Sequence, residues 1–171
     1  LDNIQEYSAV GFNYMNSQNA EYTSEYMKYL ESYGMVTNDV SIGVLALDEA
    51  SYKRYEKECN ISHSDDNIIL VNGCVVNWNE DNKPKAGEVS AFKYKKGDTI
   101  ELYDIDDSEA KYDENDELIE DSKKRIDYPL EISVITNVRP MGYKAAKESP
   151  MIVMNEKKAK EINLDNYSGF E

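Results

Sequence analysis

The spacing of apolar residues predicts a helix over 21–33. Its apolar and aromatic positions recur every three or four residues, at Tyr22, Tyr26, Tyr29, Leu30 and Tyr33. Gly34 provides the stop signal that ends such a helix. The row of tyrosines fits two interpretations, the half-buried face of a helix that lies on a sheet or a platform on which sugar rings stack. We favour the first, because aromatic stripes at helical spacing are most often part of a core.

A continuous apolar run at 40–47 predicts a strand that is buried on both faces. Asp48 follows it directly and provides the side-chain oxygen that caps the first turn of a helix. Leu47 and Tyr52 have the spacing of a hydrophobic contact across that first turn. The sequence therefore predicts a strand that leads straight into a helix.

Further strands are predicted from short apolar or alternating runs, at 67–71, 74–78, 89–94, 99–105, 130–138 and 151–154. Asn72 and Gly73 form a turn or a bulge between the first two of these strands, and 79–84 is a polar loop. The third and fourth strands are expected to pair as a hairpin through 96–98.

The end of the chain repeats the design of its centre. Asn155 follows the last predicted strand and caps a final helix, as Asp48 does after the run at 40–47. Two strand-to-helix units of this kind predict an α+β fold. We expect a mixed α/β layer in which the helices pack on one face of a mixed sheet.

The charge of the chain excludes several classes of function. Its 171 residues include 34 acidic and 19 basic side chains, which leave a formal charge of −15. A field of this sign opposes binding to nucleic acid and to an anionic lipid surface. Arginine, which recognises phosphates and bases through paired hydrogen bonds, occurs only at Arg54, Arg125 and Arg139. We therefore expect no nucleic-acid partner.

The start of the chain and its cysteines suggest a fragment of a bacterial protein. The chain begins at Leu1 and has no apolar run near the roughly 18 residues that a membrane-spanning helix needs. We expect a soluble piece of a larger protein. Cys59 and Cys74 are too few for a disulfide scaffold and lack Cys-x-x-Cys spacing. Two alternatives stay open for them, a mutual disulfide or two small buried residues.

No residue pattern in the chain has the composition of an active site. His63, the single histidine, lies in the polar run 62–66, and no Gly-x-Ser-x-Gly motif presents a nucleophile to it. One histidine and two separated cysteines make a poor zinc ligand set. Neither of the glycine motifs that hold nucleotide phosphates occurs. We predict no enzyme and no catalytic, cofactor-binding or metal-binding residue, and we expect His63 in a solvated loop.

The acidic stretch 104–121 is the best candidate for an ion-binding segment. Two triplets have the one-three-five spacing of a calcium loop: Asp104, Asp106 and Ser108, and Asp113, Asn115 and Glu117. Glu109 and Leu118 stand where such loops need glycine, and the glutamate of the twelfth position is missing in both. We favour a solvated, self-repelling loop over a calcium site.

Several short phrases occur in the order that is typical of a known family: 41–47 followed by 48–55, then 67–72 and 94–102, and finally 132–138, 140–142 and 151–155. This order resembles the extracytoplasmic domain, the MacB-like periplasmic core, of FtsX-like ABC transporter permeases from low-GC Gram-positive bacteria. The likeness covers roughly residues 20–165. It rests on the order of elements and a few short phrases rather than on a catalytic motif.

The resemblance implies a single extracellular domain of a larger membrane protein in the cell membrane. Its partner would be a cytoplasmic ABC ATPase, and two permeases could work as a dimer. Such domains couple ATP-driven motion to the export of peptides, antibiotics or lipoproteins, or to the regulation of an outside partner. The family often has two lobes, here 1–77 with 129–171 and a smaller, β-rich inserted lobe at 78–128. It has no catalytic residues in this domain.

Three hypotheses follow. The first is the permease outer domain, which predicts that residues 1 and 171 lie close together. The second is a secreted or lipid-anchored binding module for carbohydrate or peptide that uses exposed tyrosines and Trp78. The third is a hydrolase with two carboxylates in a cleft, which the abundance of acidic residues neither favours nor excludes.

Overall fold

The computed structural model describes residue 7 and residues 9–35, 39–106, 110–119, 122–140 and 147–164. Nine strands occur in this part of the chain: β1 (Ala9–Ser17), β2 (Val40–Leu47), β3 (Ile69–Val71), β4 (Gly73–Glu80), β5 (Lys83–Ser90), β6 (Thr99–Asp106), β7 (Lys124–Glu131), β8 (Val134–Thr136) and β9 (Met151–Asn155). Three helices accompany them: α1 (Ser24–Ser32), α2 (Glu49–Glu58) and α3 (Glu156–Glu161). The predicted mixed α+β class is confirmed.

Seven of the described strands form one mixed sheet in the order β7-β6-β1-β2-β9-β3-β8, and β4 and β5 form a separate two-stranded sheet. Strand β2 runs antiparallel to β1 and parallel to β9. Strand β9 is antiparallel to β3, which is parallel to β8. Strands β1 and β9, the first and the last of the described strands, therefore lie on either side of β2.

Strand β2 is buried on both faces, as its apolar run predicts. Ile42, Val44 and Ala46 belong to one hydrophobic core, which we call the α1 core. Leu45 and Leu47 belong to a second, which we call the α2 core. Because side chains alternate along a strand, the two cores lie on opposite faces of the sheet.

The helices are divided between these two faces. Tyr52 and Tyr55 of α2 are fully buried in the α2 core. Tyr26 of α1 and Ala159 of α3 lie in the α1 core. The sequence predicted helices on one face only, and that prediction is wrong on this point. A strand that is apolar on both sides needs cover on both sides.

Each helix begins at a residue that caps its first turn. The side chain of Thr23 accepts a backbone hydrogen bond from α1 at 3.2 Å, Asp48 accepts one from α2 at 2.7 Å, and Asn155 accepts one from α3 at 2.9 Å. The caps predicted at Asp48 and Asn155 are confirmed. Helix α1 starts later than the sequence predicts, because Tyr22 forms a β-bridge with Phe92 before the helix begins.

The pairing of β5 and β6 differs from the sequence prediction. The segments 89–94 and 99–105 do not pair as a hairpin; β5 pairs with β4, and β6 pairs with β1 and β7. Strands β4 and β5 extend into the predicted loop 79–84 and leave a two-residue turn at Asp81 and Asn82. Both residues have positive φ, 51° and 59°. Aspartate and asparagine tolerate this conformation, which two-residue hairpin turns of type I′ require.

The segment 78–128, predicted as an inserted lobe, is divided between the two sheets. Its first part belongs to the hairpin of β4 and β5, whereas β6 and most of β7 extend the main sheet beyond β1. Ile100 and Leu102 of β6 are fully buried in the α1 core. The predicted lobe boundary therefore does not match the strand pairing, because apolar residues of β6 complete a core that begins in β2.

Strand β1 carries no clear signal in the sequence. Its residues toward the α1 core are Val10, Gly11, Asn13, Met15 and Ser17, of which only Met15 is a buried, large apolar residue. The strand forms through its register with β2, in which Met15 lies opposite Ile42. The predicted proximity of the two chain ends lies outside the described residues.

Asn72 joins the hairpin to the main sheet. Its side chain is buried; Oδ1 accepts from the N–H of Phe92 at 2.8 Å, and Nδ2 donates to the carbonyl of Phe92 at 2.9 Å. Its backbone N–H donates to the carbonyl of Thr136, and its carbonyl accepts from the N–H of Ala91. One asparagine thus satisfies buried backbone groups on both sides of the junction.

Replacement of Asn72 by alanine is expected to lower the free energy of unfolding by about 2–4 kcal/mol, because the N–H and the carbonyl of Phe92 lose their partners. Urea unfolding followed by circular dichroism measures this loss. Asn77→Ala, at an exposed position of the same hairpin, is the matched control and should change stability by less than about 0.5 kcal/mol. Equal losses in the two variants would contradict this role of Asn72.

Candidate functional site

A group of charged side chains lies around the first turns of α2 and α3 and the loop that follows α2. We call it the histidine–carboxylate cluster; it consists of Glu49 and Glu56 from α2, His63 and Asp65 from the following loop, and Lys157 from α3. The parallel pairing of β2 with β9 brings these segments together, since both strands end at the same edge of the sheet and each leads into a helix.

Glu56 anchors the cluster from inside the protein. Its side chain is 1% exposed. One carboxylate oxygen lies 2.5 Å from Nδ1 of His63. The other accepts from the backbone N–H of Ser64 at 3.1 Å and from Nδ2 of Asn67 at 2.9 Å. These three partners offset the cost of burying a carboxylate, and they orient the imidazole.

The sequence predicted His63 in a solvated loop. That prediction is wrong for the side of the imidazole that carries Nδ1. The side chain is 40% exposed, but Nδ1 is held by the buried Glu56. A signal for this contact exists in the sequence. Glu56 lies in the apolar stripe that Tyr52, Tyr55 and Cys59 form on α2, and a carboxylate in a stripe of that kind requires partners.

The outer half of the cluster is an ion-pair network. Nε2 of His63 lies 3.4 Å from Oδ1 of Asp65. Nδ2 of Asn155 donates to the same oxygen at 3.0 Å, and Nζ of Lys157 lies 3.0 Å from Oδ2. Lys157 also pairs with Glu49. The network ties the loop after α2 to the first turn of α3.

Charges in the outer half shift the pKa values of its members. Hydrogen bonds from Lys157 and then from Lys53 lower the pKa of Glu49 to about 2. The same contact with Glu49, followed by that with Asp65, raises the pKa of Lys157. The carboxylate of Glu49 is therefore an anion at neutral pH. Its oxygen, an oxygen of Asp65 and a ring nitrogen of His63 all lie within 4.8 Å of one another.

A second feature is an aromatic groove between the end of α1 and the hairpin. It encloses about 330 Å³ and is lined by Ser32, Tyr33, Asn77, Trp78, Asn79, Pro84, Lys85 and Ala86. An ion pair between Nζ of Lys28 and Oε1 of Glu80, 2.6 Å apart, fixes α1 against the hairpin beside it. Aromatic faces next to amides are groups that can hold a sugar ring or a peptide.

Four tyrosines from Tyr22 to Tyr33 form a continuous row along α1 that ends at this groove. Ring centroids are separated by 5.2 Å from Tyr22 to Tyr26, by 5.4 Å from Tyr26 to Tyr29 and by 5.3 Å from Tyr29 to Tyr33. Tyr26 is buried in the α1 core, which confirms the interpretation of the stripe as the face of a helix on a core. Tyr33, at the end of the row, is 61% exposed.

Trp78 is one of the residues that line the groove. The residue is half-buried and packs against the α1 core. Its Nε1 is buried and has no hydrogen-bond partner among the described residues. The hypothesis of a binding module uses Trp78 and exposed tyrosines, and the structure brings one of each, Trp78 and Tyr33, to one groove.

The acidic stretch divides into a strand and a turn. Asp104 and Asp106 lie in β6 and pair with β7. The carboxylate of Asp113 accepts backbone N–H bonds from Asn115 at 2.8 Å and from Glu117 at 2.9 Å, which lower its pKa. Its oxygen thus stabilises a turn. Ser108, the third residue of the first predicted calcium triplet, lies outside the described residues.

Both cysteines are free thiols. Cys59 is half-buried beside the α2 core, and Cys74 is fully buried in the α1 core. Arg139 lies beside Cys74 and donates to the carbonyls of Gly73 at 2.9 Å and Ser149 at 2.6 Å. The two thiols lie on opposite faces of the sheet, so of the two alternatives the sequence left open, the structure favours two small, at least partly buried residues.

Comparison with known proteins finds no matching family model, no matching curated protein and no matching solved structure. Within the described residues, none of the helices has the length and the hydrophobicity that crossing a bilayer requires.

The thiols are expected to differ sharply in reactivity. Burial raises the pKa of Cys74 to about 12, although Arg139 opposes the shift, so only about one Cys74 in ten thousand is a thiolate at pH 8. Iodoacetamide at pH 8 should therefore alkylate Cys59 slowly in the folded protein, with its own pKa also raised by burial. Cys74 should react only after denaturation. Peptide mass spectrometry measures both rates, and early modification of Cys74 would contradict its burial.

Proposed function

We propose that this chain is the outer domain of an FtsX-like ABC transporter permease. It would be a non-catalytic part that couples ATP-driven motion across the membrane to substrate export or to the regulation of an outside partner. Hydrolysis of ATP would take place in a cytoplasmic ATPase. The proposal combines the order of sequence phrases with one geometric observation, the position at which the chain enters and leaves the main sheet.

That position is the carboxyl end of β2. Ala9, the first residue of β1, pairs with Leu47, and Asn155, the last residue of β9, pairs with Leu47 from the other side. Two interstrand spacings of about 4.8 Å place these two points about 10 Å apart. A domain that is carried between two membrane-spanning segments must receive and return the chain on one side, and this edge of the sheet meets that requirement.

The same register suggests how motion would enter the domain. Movement of either membrane segment would exert a force on β1 or β9, and both strands are hydrogen-bonded to β2. Residues 42–47 of β2 are buried on both faces, so this force would move the sheet as one unit rather than bend it. The domain would thus act as a lever that is held at one edge.

The hairpin would then point away from the membrane. Val71, which precedes the hairpin, pairs with Met151 at the start of β9, whereas Asn155 lies at the opposite end of that strand. The hairpin therefore leaves the main sheet at the edge far from the chain's exit. Its exposed strands and the aromatic groove would be available to a substrate or partner outside the cell.

A second candidate function is supported by the groove itself. Tyr33 and Trp78 offer aromatic faces, and Asn77 and Asn79 offer amides, in a groove of about 330 Å³. This composition suits a secreted or lipid-anchored module that binds carbohydrate or peptide. The two candidates differ in whether the native protein spans a membrane.

The test is the topology of the native protein. An antibody raised against this chain should detect a band much larger than 19.6 kDa that only detergent extracts from membranes of the source cells. In the full-length protein with Cys59→Ser, Val75→Cys is expected to react with a membrane-impermeant maleimide on intact cells. Val76→Cys is the matched control, because residue 75 is 48% exposed and residue 76 is buried.

Two results would contradict the permease, and a third would contradict the fold. A soluble or salt-released band near 20 kDa would replace it with the binding module. Labelling of Val75→Cys only after lysis would place the domain inside the cell. Equal labelling of the two variants on intact cells would show that the domain is not folded as described.

A further inference from the structure

We propose that His63, Asp65 and Glu49 form a binding site for a divalent transition-metal ion. The site would take Nε2 of His63 and one oxygen from each carboxylate; a ring nitrogen of His63 and an oxygen of each carboxylate already lie within 4.8 Å of one another. The inference is independent of the permease proposal, since it rests on the histidine–carboxylate cluster alone.

The orientation of the imidazole supports the site. Glu56 is buried and accepts from Ser64 and Asn67, so its position is fixed, and its second oxygen holds Nδ1 of His63 at 2.5 Å. With its proton on Nδ1, the ring directs the lone pair of Nε2 toward Asp65. A carboxylate behind the distal nitrogen is the usual support of a metal-binding histidine, because it fixes the ring and makes the free nitrogen more basic.

A short distance between two of the ligand atoms also supports the site. Nε2 of His63 lies 3.4 Å from Oδ1 of Asp65, which is about the separation of two ligand atoms on one tetrahedral ion. An ion bound to both residues would have an oxygen of Glu49 within reach as a third ligand.

The site can close with small movements. Ligand atoms about 2.1 Å from a tetrahedral ion lie about 3.4 Å apart, so atoms that now lie within 4.8 Å of one another need to approach by about 1.4 Å at most. Lys157 now pairs with both carboxylates, and it is an exposed, flexible side chain that can move into solvent. Three protein ligands leave a fourth position open to water or to another ligand.

The ligand set selects the kind of ion. An imidazole nitrogen favours zinc and similar transition metals over magnesium and calcium, which prefer oxygen alone. Zn²⁺ is therefore the probe, with Mg²⁺ as the comparison. Because the chain has one histidine, its imidazole gives a single, assignable set of nitrogen signals.

The test is titration of the 171-residue chain with Zn²⁺, followed by calorimetry and by long-range ¹H–¹⁵N spectra of the imidazole. We expect one saturable site, a shift of the Nε2 signal and no comparable effect of Mg²⁺. His63→Gln and Asp65→Asn should each weaken Zn²⁺ binding at least about tenfold. Asp66→Asn is the matched control, since it removes the same charge from the neighbouring exposed side chain and should change affinity less than about twofold.

Glu56→Gln tests the positioning role of the buried carboxylate. It should weaken Zn²⁺ binding about tenfold and shift the Nδ1 signal, while the melting temperature of the metal-free variant reports any loss of fold. The site is excluded if Zn²⁺ leaves the imidazole signals unchanged. It is also excluded if Asp65→Asn and Asp66→Asn have equal effects, which would indicate binding by the acidic surface as a whole.

Discussion

The structure depends on one strand, β2, which is packed on both faces and paired on both edges. Its apolar run has no polar side to leave in water, so both faces of the sheet must be covered. Helix α2 covers one face, and α1, α3 and the base of the hairpin cover the other. The pairing partners of β2 are the first and last strands, so the same strand also determines where the chain enters and leaves the sheet.

This arrangement also creates the charged cluster. Because β2 and β9 are parallel and in register, the helices that follow them begin side by side. Helix N-termini favour negative groups, and Glu49 and Glu156 both lie in first turns. The loop after α2 adds Asp65, and Lys157 pairs with both Glu49 and Asp65. The cluster is therefore a consequence of the topology, which places the carboxyl ends of β2 and β9 side by side.

The sequence predicted what short-range patterns encode. The run at 40–47, the cap at Asp48 and the cap at Asn155 were all predictable, because each depends on residues within one turn or strand. Strand β1 was not, since its burial comes from pairing with β2 rather than from its own residues. Contacts such as Glu56 with His63 depend on how a loop returns, which local periodicity does not encode. Glu56 in an apolar stripe was the one signal available.

The central proposal is that the edge of the sheet at which Ala9 and Asn155 lie faces a membrane. It is tested most directly in the full-length protein, reconstituted in vesicles that contain a lipid-attached fluorescence quencher. A fluorophore is placed at residue 66, beside that edge, or at residue 82, at the tip of the hairpin. The account predicts strong quenching at residue 66 and little at residue 82. Equal quenching at the two positions, or stronger quenching at residue 82, would contradict it.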